Sequence, residues 1–225
     1  MTRVANAPSP VVIAAGDAHL SGDLRLPEHP RGLVVFAHGI GSSRHSARNV
    51  FVAESLGHHG LGSLLMDLLT HNEEVVDRQT AQWRFDVELL GSRVGDVIDW
   101  LAKEPGLASL PIGLFGASTG AAAALIAAAS RPDRVRAVVS RGGRPDLAGA
   151  ALARVTAPTL LLVGSLDDVV LRLNKDAKAH MRAAEVALEV VPGATHLFEE
   201  AGTLEAVAES AAAWFSQHLV PGERR

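Results

Sequence analysis

The 225-residue chain contains no cysteine and no tyrosine. Without a thiol there is no disulfide, no thiolate-held metal, no iron–sulfur cluster and no cysteine nucleophile. Aromatic residues make up only 4 %, and lysine occurs three times against eighteen arginines, a bias to which no function is assigned. Positive charge is not in excess: 21 basic residues face 25 acidic ones, a formal net charge of −4. Proteins that bind nucleic acid or an anionic membrane present a basic face, so neither partner is expected. Long hydrophobic runs are missing too. The apolar run 11–15 is too short for the core of a signal peptide, and the Ala-rich run 121–129 falls short of the roughly 20 residues that span a bilayer. The expectation is a cytoplasmic protein, monomer or homodimer, whose partner is a small molecule. What is present is ordinary globular material, 48 % hydrophobic and 20 % charged. No linker or repeat divides it, so residues 1–225 are expected to form one domain.

Hydropathy patterning sets the fold class. Residues 11–15 and 19–26 read as strands joined by the tight turn Gly16-Asp17-Ala18. The unbroken apolar run 33–37 suits a strand buried on both faces of a parallel sheet, and 61–66, 112–115, 135–139, 160–163 and 186–191 also read as strands. Between them, 46–59, 86–103, 121–129, 171–183 and 203–219 read as helices. In 86–103, Val87, Leu90, Val94, Val97, Ile98 and Leu101 fall on one stripe, and Pro221-Gly222 stops the last helix. Such alternation predicts an α/β fold of three layers, with helices on both faces of a mostly parallel sheet and the hairpin at one edge. Residues 68–84 lack periodicity and are expected to be a polar surface loop. About 20 residues follow the strand ending near Ser140, a connection too short for a lid domain.

In such sheets ligands sit at the carboxyl ends of the strands. Gly116-Ala117-Ser118-Thr119-Gly120 follows one strand and opens a helix, the strand–turn–helix context in which G-x-S-x-G thrusts a serine hydroxyl into the open. The bland alternative is a Gly-rich turn that binds an anion at the helix start. A serine nucleophile needs a base, and the base an orienting carboxylate, in the chain order Ser, acid, His. Only His180, His196 and His218 follow Ser118. Of these, His196 stands on a Gly-containing loop just after a strand, while His180 lies inside a helix and His218 near the chain end. For the acid, Gly164-Ser165-Leu166-Asp167-Asp168 follows a strand. Asp167 holds the strand-end turn position, and Asp168 is the alternative. Oxyanion donors are expected from the backbone N–H of Thr119 and from the loop His38-Gly39-Ile40-Gly41, with Ile40 the candidate. His38 itself is read as fixing that loop. His58-His59 lacks a third ligand at suitable spacing, so no metal is expected.

On these residues the sequence resembles the α/β-hydrolases, specifically the dienelactone-hydrolase-like group. More narrowly, it resembles the small hydrolase domain that some relatives carry appended to a phosphoribosyltransferase. The strings that carry the resemblance are Phe36 to Ser46 around His38-Gly39, Phe115 to Ala121 around Ser118, Ser140-Arg141-Gly142-Gly143-Arg144-Pro145-Asp146-Leu147, and Val191 to Phe198 around His196. The resemblance implies an eight-stranded, mostly parallel sheet and a Ser118–His196–Asp167 triad; hydrolysis through such a triad needs no cofactor or metal. This chain departs from the group in having no cysteine nucleophile, in carrying Ile40 where relatives favour a small residue, and in lacking a phosphoribosyltransferase segment.

The predicted activity is that of a serine carboxylesterase acting on small, short-acyl esters through an acyl-enzyme. Lactonase, thioesterase or acyltransferase chemistry would use the same triad. A non-catalytic ligand- or partner-binding protein on this fold is the reading from another class. Leu197, Phe198, Trp83 and Phe85 are candidates for an acyl pocket. Arg141, Arg144, Arg44 and Arg48 are candidates for holding an anionic group on the substrate, with surface ion pairing as the alternative.

Overall fold

The computed structural model describes residues 7–219; Met1–Asn6 and the Pro221-Gly222 helix stop lie outside them. Eight strands form one sheet: β1 (Ser9–Ala15), β2 (Ala18–Arg25), β3 (Leu33–Ala37), β4 (Gly62–Met66), β5 (Ile112–Ala117), β6 (Val135–Arg141), β7 (Thr159–Gly164) and β8 (Val186–Val191). Their spatial order is β1-β2-β4-β3-β5-β6-β7-β8. The β1–β2 hairpin turns at Gly16 and pairs antiparallel with β4 at one edge, and every pairing from β4 to β8 is parallel.

The apolar character of the central strands has a direct physical cause. Successive strand side chains point to opposite faces, and both faces here are covered. Val35, Ala37, Leu64, Leu114 and Val138 pack on one side against α3 (Val87–Leu101) and α4 (Gly120–Ser130). Val34, Phe36, Leu65, Phe115 and Val139 pack on the other against α1 (Ala47–His58) and α6 (Thr203–Leu219). The Phe36 and Phe115 rings meet at 4.8 Å between centroids. Removing either fully buried ring would cost about 3–5 kcal/mol. No helix among the described residues is long and apolar enough to cross a membrane.

The structure corrects one expectation. The stretch 68–84 is not a loop: it contains the helix α2 (His71–Thr80). Periodicity missed it because α2 buries almost no apolar side chain; its one buried residue is Asp77. Polar contacts hold it instead. Thr70 and Glu73 form a reciprocal capping box, each side chain accepting the other's backbone N–H. Glu73 also accepts from both terminal nitrogens of Arg93, which is 5 % exposed. Asp77 accepts from the N–H groups of Trp83 (2.7 Å) and Arg84 (3.1 Å) and from Arg84 Nε (2.7 Å).

These ties give α2 a pH signature. Burial alone would raise the Glu73 carboxyl, but hydrogen bonds from Arg93 and Thr70 outweigh it and hold it below the ordinary value. Burial likewise pushes Asp77 up, and its bonds to Trp83 and Arg84 bring it down further. A carboxylate depressed in the folded state contributes stability that is complete above its unfolded pKa, about 4, and is lost as pH falls through the folded value. The melting temperature should therefore drop as pH is lowered below about 4, and Glu73→Gln should flatten that drop while lowering the melting temperature at pH 7. Identical acid limbs for wild type and variant in thermal melts would refute this account.

Candidate active site

Four loops at the carboxyl ends of β3, β5, β7 and β8 converge on one point. The sharpest is the turn from β5 into α4. Ser118 sits at its apex with φ 51°, a left-handed backbone that a residue bearing a side chain rarely adopts. Small neighbours permit the turn. A Cβ on Gly120 would stand 2.2 Å from the Ala37 carbonyl oxygen, so the helix start can lie against the end of β3 only with glycine there. The Ser118 N–H donates to the Arg141 carbonyl and the Arg144 N–H to the Ser118 carbonyl, which ties the turn to the end of β6.

The structure brings together the three residues the sequence singles out. His196 Nε2 lies 3.3 Å from Ser118 Oγ, and His196 Nδ1 lies 2.6 Å from Asp167 Oδ2. The second contact has the length of a charge-assisted hydrogen bond, while the first is the looser distance common in ligand-free sites. Asp167 is the N-cap of α5 (Asp168–His180), its other oxygen 3.4 Å from the Val170 N–H, and its side chain is only 14 % exposed. Asp168 begins the helix, is exposed, and makes no contact with His196. The loops bearing the acid and the imidazole touch closely: the Leu166 N–H donates to the Ala194 carbonyl.

On the opposite side lies the loop after β3. Gly39 packs against Ser118, and a Cβ there would meet the serine Cβ at 3.0 Å. His38 braces this loop. Its Nδ1 lies 2.9 Å from the Gly39 carbonyl, and its Nε2 accepts the Leu68 N–H at 3.2 Å, a pattern that places the ring proton on Nδ1. Burial lowers the pKa of His38 and favours this neutral form. The Ile40 N–H points at Thr119, donating to its hydroxyl at 3.1 Å. Thr119 is the N-cap of α4, so its N–H stands at the helix end where backbone amides have no intrahelical acceptor.

Beside these donors lies a cavity of about 300 Å³, bounded by Ile40, Thr119, Leu68, Leu90, Asp77 and Arg84. Sequence reasoning missed the wall that α2 contributes. Its signal was Thr70-His71-Asn72-Glu73, a Thr-x-x-Glu capping pattern in a stretch without an apolar stripe.

Other expected pocket residues fall elsewhere. Phe198 is 2 % exposed and belongs to the core beneath α6, not to an open acyl pocket. Its φ of 55° turns the chain there. Leu197, by contrast, is 42 % exposed beside His196. Trp83 packs against the core, and Phe85 is 65 % exposed. Of the four arginines, Arg44 pairs with Asp67 and Asp23, Arg48 with Glu199, and Arg144 with Asp146. Arg141 has no acidic partner among the described residues, and burial, with Arg48 nearby, lowers its pKa to about 10.

Comparison with known proteins places the chain. Residues 20–219 match the model of the dienelactone hydrolase family. A Mycobacterium tuberculosis protein provisionally named phosphoribosyl transferase is 60 % identical over 209 residues, which cover 93 % of this chain and 46 % of that protein. The chain thus spans about half the length of the curated relatives it matches. The crystal structure of dienelactone hydrolase from Anabaena variabilis is 50 % identical, has a TM-score of 0.92, and covers 95 % of this chain and 100 % of that one. A dienelactone hydrolase-like promiscuous phosphotriesterase from metagenomic libraries shares the fold at 18 % identity and a TM-score of 0.74, covering 95 % of this chain and 99 % of its own. The eight-stranded sheet with helices on both faces is an α/β-hydrolase fold.

Proposed function

The chain belongs to the dienelactone hydrolase family, and from that premise we propose that it is a serine hydrolase of small, short-acyl carboxylic esters. The observation that carries the reading is the continuous contact chain Ser118–His196–Asp167, with the serine on a strained turn. Ser118 Oγ attacks the ester carbonyl while His196 Nε2 takes its proton. Asp167 keeps the imidazole in the tautomer that accepts at Nε2, and stabilises the imidazolium that forms. The carbonyl oxygen becomes an oxyanion held by the N–H groups of Thr119 and Ile40, the latter released from the Thr119 hydroxyl as the substrate enters. His196 then protonates the leaving alcohol, and water, activated by the same imidazole, frees the acid. Residues of this chain supply every proton transfer in this sequence of steps.

The cavity supports a small substrate. At about 300 Å³ it sits at the low end of ligand pockets, with Leu68 and Leu90 offering an apolar surface and Asp77 and Arg84 a polar rim. The test is hydrolysis of p-nitrophenyl esters from acetate to decanoate, with fluorophosphonate labelling in parallel. The expected result is maximal kcat/KM at acetate to butyrate and stoichiometric labelling of Ser118. An optimum at decanoate would defeat the short-acyl assignment. Absence of both hydrolysis and labelling would defeat the serine-hydrolase assignment.

A further inference from the structure

Arg141 is the conspicuous group that this mechanism leaves unused. It ends β6, two residues after Val139, which packs under α1 and α6, so strand alternation puts its side chain on that same face. The residue is 8 % exposed, and its Nε and Nη1 are buried without an acceptor among the described residues. A guanidinium keeps its charge under all ordinary conditions, so burying it with unmet donors is costly unless an anion completes the set.

A second arginine makes the deficit larger. Arg48, in the first turn of α1, is close enough to depress the Arg141 pKa. Its Nε is also buried and unpartnered. Among the described residues its one ion pair is with Glu199, which is 64 % exposed at the side chain and therefore a weak partner. The first turn of α1 contains no acidic residue, although a helix N-terminus favours negative charge and disfavours a cation. Two neighbouring guanidiniums with buried unmet N–H groups, at a helix start that lacks its usual acid, have the composition of an oxyanion site. Arg48 is 34 % exposed at the side chain, which leaves the site reachable from solvent.

We infer that Arg141 and Arg48 together bind an oxyanion, a carboxylate or phosphate-type group, behind the loop that carries His196. The site adjoins the catalytic point. The Arg141 carbonyl accepts the Ser118 N–H, and a Cβ on Gly142, the next residue, would lie 3.6 Å from His196 Cε1. Glu199, three residues beyond His196, ties Arg48 to the same loop. The oxyanion is either free in solution or the acid group of the ester being hydrolysed. Only the second case rests on the proposed function.

Two measurements distinguish these sources. In the first, wild type, Arg141→Gln and Arg48→Gln are melted with and without sodium phosphate at constant ionic strength. A free oxyanion predicts that about 10 mM phosphate raises the wild-type melting temperature by about 2 °C or more, with the rise absent in Arg141→Gln and reduced in Arg48→Gln. In the second, kcat/KM is measured for p-nitrophenyl hydrogen glutarate against the uncharged p-nitrophenyl pentanoate. A substrate-borne oxyanion predicts that the ratio of the two values falls about tenfold or more in each variant, the scale of one lost charge-assisted contact. Should Arg141→Gln fail to fold, the partly exposed Arg48→Gln still reads both effects. If neither the phosphate-induced rise nor the ester ratio differs between wild type and the variants, the site is refuted. If wild type hydrolyses neither ester, the hydrolase reading fails by itself, and the phosphate melts still decide the oxyanion site.

Discussion

Ser118→Ala should lower kcat for p-nitrophenyl acetate by about 10³- to 10⁶-fold while leaving the fold intact, because triad members act as a unit. The hydroxyl is part-buried and its proposed work is chemical: the Ser118 backbone, not its side chain, anchors the turn to β6. His196→Ala should lose a comparable amount, and the double variant little more than either single one. That non-additivity is the sharper observation. Two independent contributors would multiply their losses, whereas a nucleophile without its base and a base without its nucleophile are equally idle. The residual rate expected in all three comes from the N–H groups of Thr119 and Ile40, which none of the variants touches. Activity in Ser118→Ala above about one tenth of wild type would remove the serine from the mechanism, since the smallest loss expected of a triad nucleophile is far larger.

The legibility of this molecule follows from which forces hold each part. Strands β3 to β7 are buried almost throughout, so their sequences are mostly apolar, without a break in β3, and could be read without a structure. Ser118, His196 and Asp167 were legible for a related reason. Each closely follows a strand of the sheet, and one sheet has only one carboxyl edge on which those ends can meet. Helix α2 was not legible from hydropathy, because Glu73–Arg93 and Asp77–Arg84 hold it where other helices use apolar stripes. A partner twenty residues away leaves no local pattern. Phe198 shows a different limit. Its direction depends on a left-handed φ just after His196, and residue order does not reveal that a turn there sends the ring into the core. Arg141 was legible in principle: it continues the buried face of Ala137 and Val139 in strand register, and a charged residue in that position demands a partner.

Asp167 and Asp168 stand side by side in the sequence, and their variants should differ by orders of magnitude. Asp167→Asn keeps the size of the side chain and replaces the carboxylate oxygen 2.6 Å from His196 Nδ1. An amide in that place can present a donor to Nδ1, which shifts the imidazole proton to Nε2 and leaves no lone pair to accept from Ser118. The expected loss in kcat is about 10⁴-fold, the cost of the wrong tautomer in this arrangement. The helix cap survives, since asparagine caps as well as aspartate and its oxygen can still accept the Val170 N–H. The melting temperature should therefore move by only a few degrees, which separates a catalytic loss from a structural one. Asp168→Asn removes an exposed charge from the first turn of α5. It should change kcat less than about twofold and cost a few tenths of a kcal/mol through the helix dipole. Equal kcat losses in the two variants would show that neither carboxylate orients His196, and a large loss confined to Asp168→Asn would transfer the role to the neighbour.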